Sequence, residues 1–240
     1  MAFYNGMIAA VPTANRQAYI DHVTEVWPLF QRHGATRMVE TWGADVPKGK
    51  VNDLMGAVQA KPDETVVFTW IEWADRATAD KGWATMQADP DMAAMQTMPF
   101  DGSRMIYGGF EDIVAVGDDG QPGYVQGFAL AVPQGNRDAY VAMANSAWPM
   151  FEGYGATGMV EAWGVDVPHG KQTDFYRAAH AEEGEVPVFS WITWPDRATC
   201  DEAAKKMTAD MEGQDMPEMP FDGKRMMWGG FEPIFDSARA

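Results

Sequence analysis

The feature that most constrains this chain is that it carries the same stretch of sequence twice. Met98 to Glu111 reads Met-Pro-Phe-Asp-Gly-Ser-Arg-Met-Ile-Tyr-Gly-Gly-Phe-Glu, and Met219 to Glu232 reads Met-Pro-Phe-Asp-Gly-Lys-Arg-Met-Met-Trp-Gly-Gly-Phe-Glu. The same offset of 121 residues carries Trp42-Gly43 to Trp163-Gly164, Gly49-Lys50 to Gly170-Lys171, and Asn15-Arg16 to Asn136-Arg137. It also carries Trp70-Ile71 and Trp73 to Trp191-Ile192 and Trp194. No gap is needed from Gly6 to Ile113, and roughly half of the aligned positions are identical. The chain of 240 residues therefore reads as two similar units rather than one large one. The expected boundaries are 1–116 for the first, 117–123 for a Gly- and Asp-rich linker, 124–236 for the second and 237–240 for a tail.

Within each unit the pattern predicts β-α-β-β-α-β. Phe3 to Val11 is a short apolar strand, and Asn15 is placed to cap a helix to about His33 with Tyr19, Val23, Val26, Trp27 and Phe30 on one face. Pro28 should kink that helix or split off its last turn, and Gly34 should end it. Thr36 to Trp42 alternates as a strand, and Gly43 to Pro62 is a long polar excursion. Glu64 to Trp73 is the most aromatic and β-branched strand, Asp75 caps a second helix to about Ala88, and Arg104 to Val116 is the last strand. This order is the ferredoxin-like, α+β plan, with two helices on one face of an antiparallel sheet. The other face would lie bare, so the two sheets of one chain are expected to pack face to face into a barrel-like core.

The net charge of −17 excludes nucleic acid and anionic membrane surfaces as partners, since both need a basic footprint. The single cysteine, Cys200, has Ala79 as its counterpart, which excludes an internal disulfide and any multi-Cys zinc cluster. With no basic and apolar leader at Met1 and no apolar run near the ~20 residues that cross a bilayer, the expectation is a soluble, cytoplasmic protein.

Three ordered motifs carry a resemblance. The Glu-x-Trp-Gly-x-Asp-Val-Pro-x-Gly-Lys, Phe-[Ser/Thr]-Trp-Ile-x-Trp and Pro-Phe-Asp-Gly-x-Arg-Met-x-[Tyr/Trp]-Gly-Gly-Phe-Glu runs are similar to those of the YbaA-like family, bacterial proteins of unknown function in the dimeric α+β barrel superfamily. The resemblance covers nearly all of both units and implies paired ferredoxin-like sheets, here fused in one chain. It implies no chemistry. Superfamily relatives range from cofactor-free monooxygenases, lyases and isomerases to haem enzymes and plain binding modules, and fold does not give function. Where the family has an acidic residue the first unit keeps Glu72, and the second has Thr193.

Glu40 and Glu161 are the candidate acid–base residues. Each alternates with apolar neighbours, Met38 and Trp42 or Met159 and Trp163, and would have a raised pKa if that side faces a chamber inside the barrel. Pairing with a base or exposure at a strand end is the structural alternative. Lys50 and Lys171 could rim a pocket and bind an anion, or simply belong to turns. Arg104 and Arg225 could reach a ligand or tie back to Asp101 and Asp222. Tyr107 and Trp228, beside Gly108-Gly109 and Gly229-Gly230, could line a ligand site, with the glycines admitting a close approach or marking a bulge. Trp42 and Trp163 could wall an aromatic ligand or build core. The methionines around Met92, Met95, Met98, Met216 and Met219 are adaptable packing or a pocket lid. None of His22, His33, His169 and His180 is repeated, so paired metal or haem sites are not expected and no cofactor is assigned. The function expected is a cofactor-independent enzyme of lyase, isomerase or monooxygenase type acting on a small, partly apolar molecule, or a non-catalytic module that binds one. Further self-association of the fused pair is left open.

Overall fold

The computed structural model describes residues 1–92, 97–118, 120–210, 212 and 218–239. Eight strands form one closed barrel: β1 Phe3–Pro12, β2 Ala35–Asp45, β3 Glu64–Trp73, β4 Ile106–Gly117, β5 Tyr124–Pro133, β6 Gly158–Asp166, β7 Glu185–Trp194 and β8 Met227–Asp236. The order around the barrel is β1-β3-β2-β8-β5-β7-β6-β4, every pairing antiparallel. Within each half this is the ferredoxin-like arrangement. The halves also join edge to edge, β2 with β8 and β4 with β6, so none of the described strands has an open edge. That edge pairing goes beyond the sequence pattern, which predicts only that bare faces meet.

Residues alternate between the barrel interior and an outer face covered by helices. The interior is filled by aromatics from both halves. Phe68 stacks on Phe189 with ring centroids 4.2 Å apart, and Trp70 on Trp191 at 4.5 Å. Gly6 and Gly127 make room for these rings: a Cβ on Gly6 would stand 2.8 Å from the Phe189 ring, and one on Gly127 2.8 Å from Phe68. The barrel core is thus packed solid rather than hollow.

Among the described residues six α-helices accompany the barrel: α1 Arg16–Arg32, α2 Leu54–Ala57, α3 Arg76–Met86, α4 Arg137–Gly153, α5 Phe175–Ala178 and α6 Arg197–Asp210. The long excursion after β2 has a structural purpose. Its short helix α2 and the counterpart α5 pack against the interior cluster through Leu54 and Phe175. They also cross-bond, Asn52 donating to the Ala178 carbonyl and Thr173 to the Ala57 carbonyl. Asp53 and Asp174 cap these helices by accepting from the amides of Gly56 and Arg177.

Helix α1 continues through Pro28, whose ring is exposed, and ends at Gly34 with φ +107°, the left-handed stop expected of a glycine there. Asn15 stands at the N-cap position but does not cap. Its amide donates to the Pro99 carbonyl, and Asn136 repeats this with Pro220. One seam carries a buried ion pair the other lacks: Arg37 on β2 makes two bonds to Asp236 on β8, at 3.0 and 2.9 Å. The corresponding residues in the β4–β6 seam are Gly158 and Ala115.

Candidate functional site

Met38, Glu40 and Trp42 do share one side of β2, but that side faces the helices, not the barrel. Val39 belongs to the interior cluster instead. Met38 packs with α1 residues Val26 and Phe30, and Trp42 with Tyr19 and Val23. The expectation of a carboxylate inside the barrel is therefore corrected, for Glu161 as for Glu40. Both faces of this sheet are covered, so both are apolar, and alternation alone does not tell which looks inward.

Glu40 is nonetheless deeply buried. The Tyr19 hydroxyl, from α1, donates to its Oε2 at 2.5 Å, and the Thr69 hydroxyl, directly across the ladder on β3, donates to the same oxygen at 2.6 Å. Both bonds fall on Oε2. Burial pushes the carboxyl pKa up to about 7, against the opposing pull of the two hydroxyls. Tyr19 is held well above the usual phenol range by burial and by the carboxylate beside it, so it remains a donor. The unit recurs in the second half. Tyr140 donates to Glu161 Oε2 at 2.5 Å, Ser190 lies opposite Glu161 in the ladder, and burial again raises the carboxyl to about 7. Tyr19 and Thr69 escape a reading fixed on charged residues. Their signal was the offset itself, which keeps a tyrosine and a hydroxyl in step with each glutamate.

Beside Glu40 lies a cavity of about 750 Å³, between the outer face of the first half's strands and helices α1 and α3. Its walls are mainly apolar: Met7, Ala9 and Ile71 from the sheet, Val23, Val26 and Phe30 from α1, and Trp83 from α3. Asn5 is held in place because its Oδ1 accepts from the indoles of Trp73 and Trp83, both at 2.9 Å. Tyr107, Gly108 and Gly109 line it from β4. Asp166 and Pro168 reach it from the second half, so the chamber needs both halves to be complete. The glycine pair marks a strand irregularity, since the β4–β6 register shifts between Gly109 and Phe110, and both glycines border the cavity.

His22 also lines this cavity, one helical turn beyond Tyr19. It is half-buried, and burial lowers its pKa, Glu25 opposing. Its counterpart is Met143. Because it is not repeated, a search for paired sites passes over it.

Among the described residues the cavity lining includes Glu40, Asp80 and Asp166 but no Lys or Arg. The basic candidates lie elsewhere. Arg104 and Arg225 are taken up by structural pairs, Arg104 with Glu64 at 2.6 Å and Asp101 at 2.9 Å, Arg225 with Glu185 at 2.7 Å and Asp222 at 3.2 Å. They sit in short 3₁₀ turns ahead of β4 and β8 rather than opening those strands. Lys50 and Lys171 are exposed on the approach to α2 and α5 and do not line the cavity. Glu72 is opposite Arg37 in the ladder, on the other side of β3 from Thr69, and is likewise not part of the lining. Trp42 and Trp163 are core, each covered by an arginine that starts a helix, Arg16 at 5.8 Å and Arg137 at 5.9 Å from the ring centre. Trp228, the counterpart of Tyr107, is partly exposed. Met98 lines the cavity, while Met95 and Met216 lie outside the described residues. No group of three or more potential metal-ligating side chains occurs among the described residues.

Fold and site define a pseudo-two-fold α+β barrel with a small-molecule-sized chamber beneath its outer helices. The chain belongs to a family of proteins of unknown function, DUF1428, whose model matches residues 2–102 and again residues 123–223. The uncharacterized protein YbaA of Escherichia coli K12 is 52% identical over 114 residues, which is 47% of this chain and 97% of YbaA. YbaA of Shigella flexneri matches to the same extent. Among solved structures, an anthrone oxidase-like protein superposes with TM-score 0.56 at 12% identity, covering 98% of this chain and 92% of the other. A proposed monooxygenase of Lactobacillus acidophilus gives 0.54 at 9% identity, covering 98% and 95%. At such identities the likeness is one of fold. No helix among the described residues is long and apolar enough to cross a membrane.

Proposed function

We propose that the first half holds a small-molecule site in which Glu40 exchanges a proton with a mostly apolar ligand, the opening step of an isomerase- or lyase-type reaction. The observation that carries this reading is the placement of Glu40: a buried carboxyl beside a chamber of about 750 Å³, with Oε2 tied to Tyr19 and Thr69 and Oε1 left without a hydrogen bond among the described residues. A group with a pKa near 7 is half-charged at neutral pH, the condition in which general acid–base transfer works best. A chamber of this size is within the range of small-molecule sites. The alternative, a chamber that binds such a molecule without changing it, rests on the same cavity.

The two readings separate in one experiment. Ligands are found by thermal shift across uncharged apolar compounds, and exchange of their C–H protons with D₂O is then followed by NMR. Proton transfer predicts exchange that Glu40→Gln reduces by about 10²-fold or more while affinity stays within a few-fold. Ligands that bind without exchange, in wild type and variant alike, leave only the binding module.

A further inference from the structure

We infer that His22 is the second proton-carrying group of this site, so that one complete site per chain acts on an uncharged apolar carbonyl compound. The inference rests on the proton-transfer reading of Glu40 and names its partner and substrate class. His22 and Tyr19 are three residues apart on α1, so they share a face with a rise of about 4.5 Å between them. Tyr19 holds Glu40 Oε2, and His22 and Glu40 line the same chamber. The second half keeps the tyrosine and the glutamate as Tyr140 and Glu161 but has Met143 in place of the histidine. Any chemistry that needs both groups is therefore confined to the first half.

The lining selects the substrate class. With acidic residues and no Lys or Arg around it among the described residues, a carboxylate or phosphate would enter as an uncompensated buried charge. The apolar walls favour a hydrophobic ring, and a carbonyl gives the two proton carriers something to act on.

The step is an enolisation. The His22 imidazole accepts a proton from the carbon next to the carbonyl. The C–H bond pair becomes the new C=C bond, and the carbonyl π pair moves to oxygen, which takes the proton of the Glu40 carboxylic acid. No oxidant or reductant is needed. Return of a proton to the same carbon gives exchange, and where a second C=C bond is conjugated with the enol, return to its far carbon gives an isomer. Glu25 on its own helix acts on His22, and the charged and titratable groups that line the chamber with it are Tyr19 on α1, Glu40 on β2, Asp80 on α3, Tyr107 on β4 and Asp166 on β6, with Arg76 4.0 Å from Asp166. Burial outweighs the pull of Glu25 and keeps the imidazole neutral, while Glu40 retains its proton up to about pH 7. Activity should fall on the acid side as His22 protonates and on the alkaline side as Glu40 ionises.

The test uses the full chain and 2-tetralone, an uncharged bicyclic ketone, in D₂O, with loss of its α-proton signal followed by NMR across pH. The variants are Glu40→Gln and His22→Met, the latter the residue the fold already accepts at position 143. The expected result is protein-dependent exchange that His22→Met lowers by about 10²-fold, with half-saturation within about 3-fold and the acid limb of the pH profile gone. If His22→Met keeps the rate and both limbs while Glu40→Gln loses them, the histidine assignment is wrong and the Glu40 reading stands. If wild type and Glu40→Gln exchange alike, or neither exceeds buffer, both are wrong.

Discussion

Tyr19 donates to Glu40 Oε2 at 2.5 Å, and 121 residues further on Tyr140 donates to Glu161 Oε2 at the same distance. A bond kept in both halves, where only one half has the histidine, belongs first to the architecture: it fixes helix to sheet and satisfies one oxygen of a buried carboxyl. What the first half adds is a histidine, His22, lining the same chamber as that carboxyl. The helix–sheet tie predicts that Tyr19→Phe, which leaves Oε2 with the Thr69 bond alone, destabilises the protein by about 1–3 kcal/mol and raises the Glu40 pKa further. Urea unfolding and a carboxyl titration of the variant check the two effects.

The pH dependence of stability follows from the two buried carboxyls. Their folded pKa of about 7 is above the ordinary 4.5, so between these values the folded chain holds more protons than the unfolded one. Stability must then fall as pH rises through this window, by on the order of 3 kcal/mol per carboxyl. His22 contributes with the opposite sign, because its folded pKa is lowered. Urea unfolding at pH 5 and pH 8 should show wild type weaker at pH 8, and the Glu40→Gln/Glu161→Gln double variant should lose most of that difference.

The barrel core leaves no space at Gly6, where a Cβ would stand 2.8 Å from the Phe189 ring. Gly6→Ala should cost about 1–3 kcal/mol by overpacking, and Gly127→Ala, facing Phe68, a similar amount. Phe189→Ala errs in the other direction and should cost about 3–5 kcal/mol through the cavity it leaves. Denaturant midpoints for the three variants test the solid core, since a hollow barrel would accept an added methyl at either glycine.

The β2–β8 seam is held by the buried Arg37–Asp236 pair, with side chains 9% and 1% exposed. Asp236→Ala leaves the arginine without its bidentate partner and should destabilise by about 3–5 kcal/mol. Arg37→Met/Asp236→Leu should recover most of that loss, as the second seam does without such a pair. Thermal unfolding of the single and double variants decides it.

Much of this fold was legible in the sequence, and the reason is the repeat. A strand order read twice from residues such as Trp70 and Trp191 is a strong signal, and bare sheet faces in two adjacent copies have an obvious way to be covered. The side on which Glu40 points was not legible. Met38 and Trp42 are apolar because helices cover them, Val39 because the barrel encloses it, and alternation distinguishes two faces without naming them. The purpose of residues 43–62 was hidden for a related reason: its short helix is buried by contact with a segment 121 residues away, which no local pattern records. His22 was hidden by the strength of the repeat itself, since attention to what recurs discards what occurs once.

The central claim is that Glu40 is a titrating carboxyl facing the chamber. Carbon-13 NMR of the chain labelled at glutamate Cδ, with the resonance assigned by its loss in Glu40→Gln, measures this directly. The account predicts a midpoint near 7 and a shift of that resonance when 2-tetralone binds. A Glu40 carboxyl that titrates at the ordinary value near 4.5, unmoved by ligand, would contradict it.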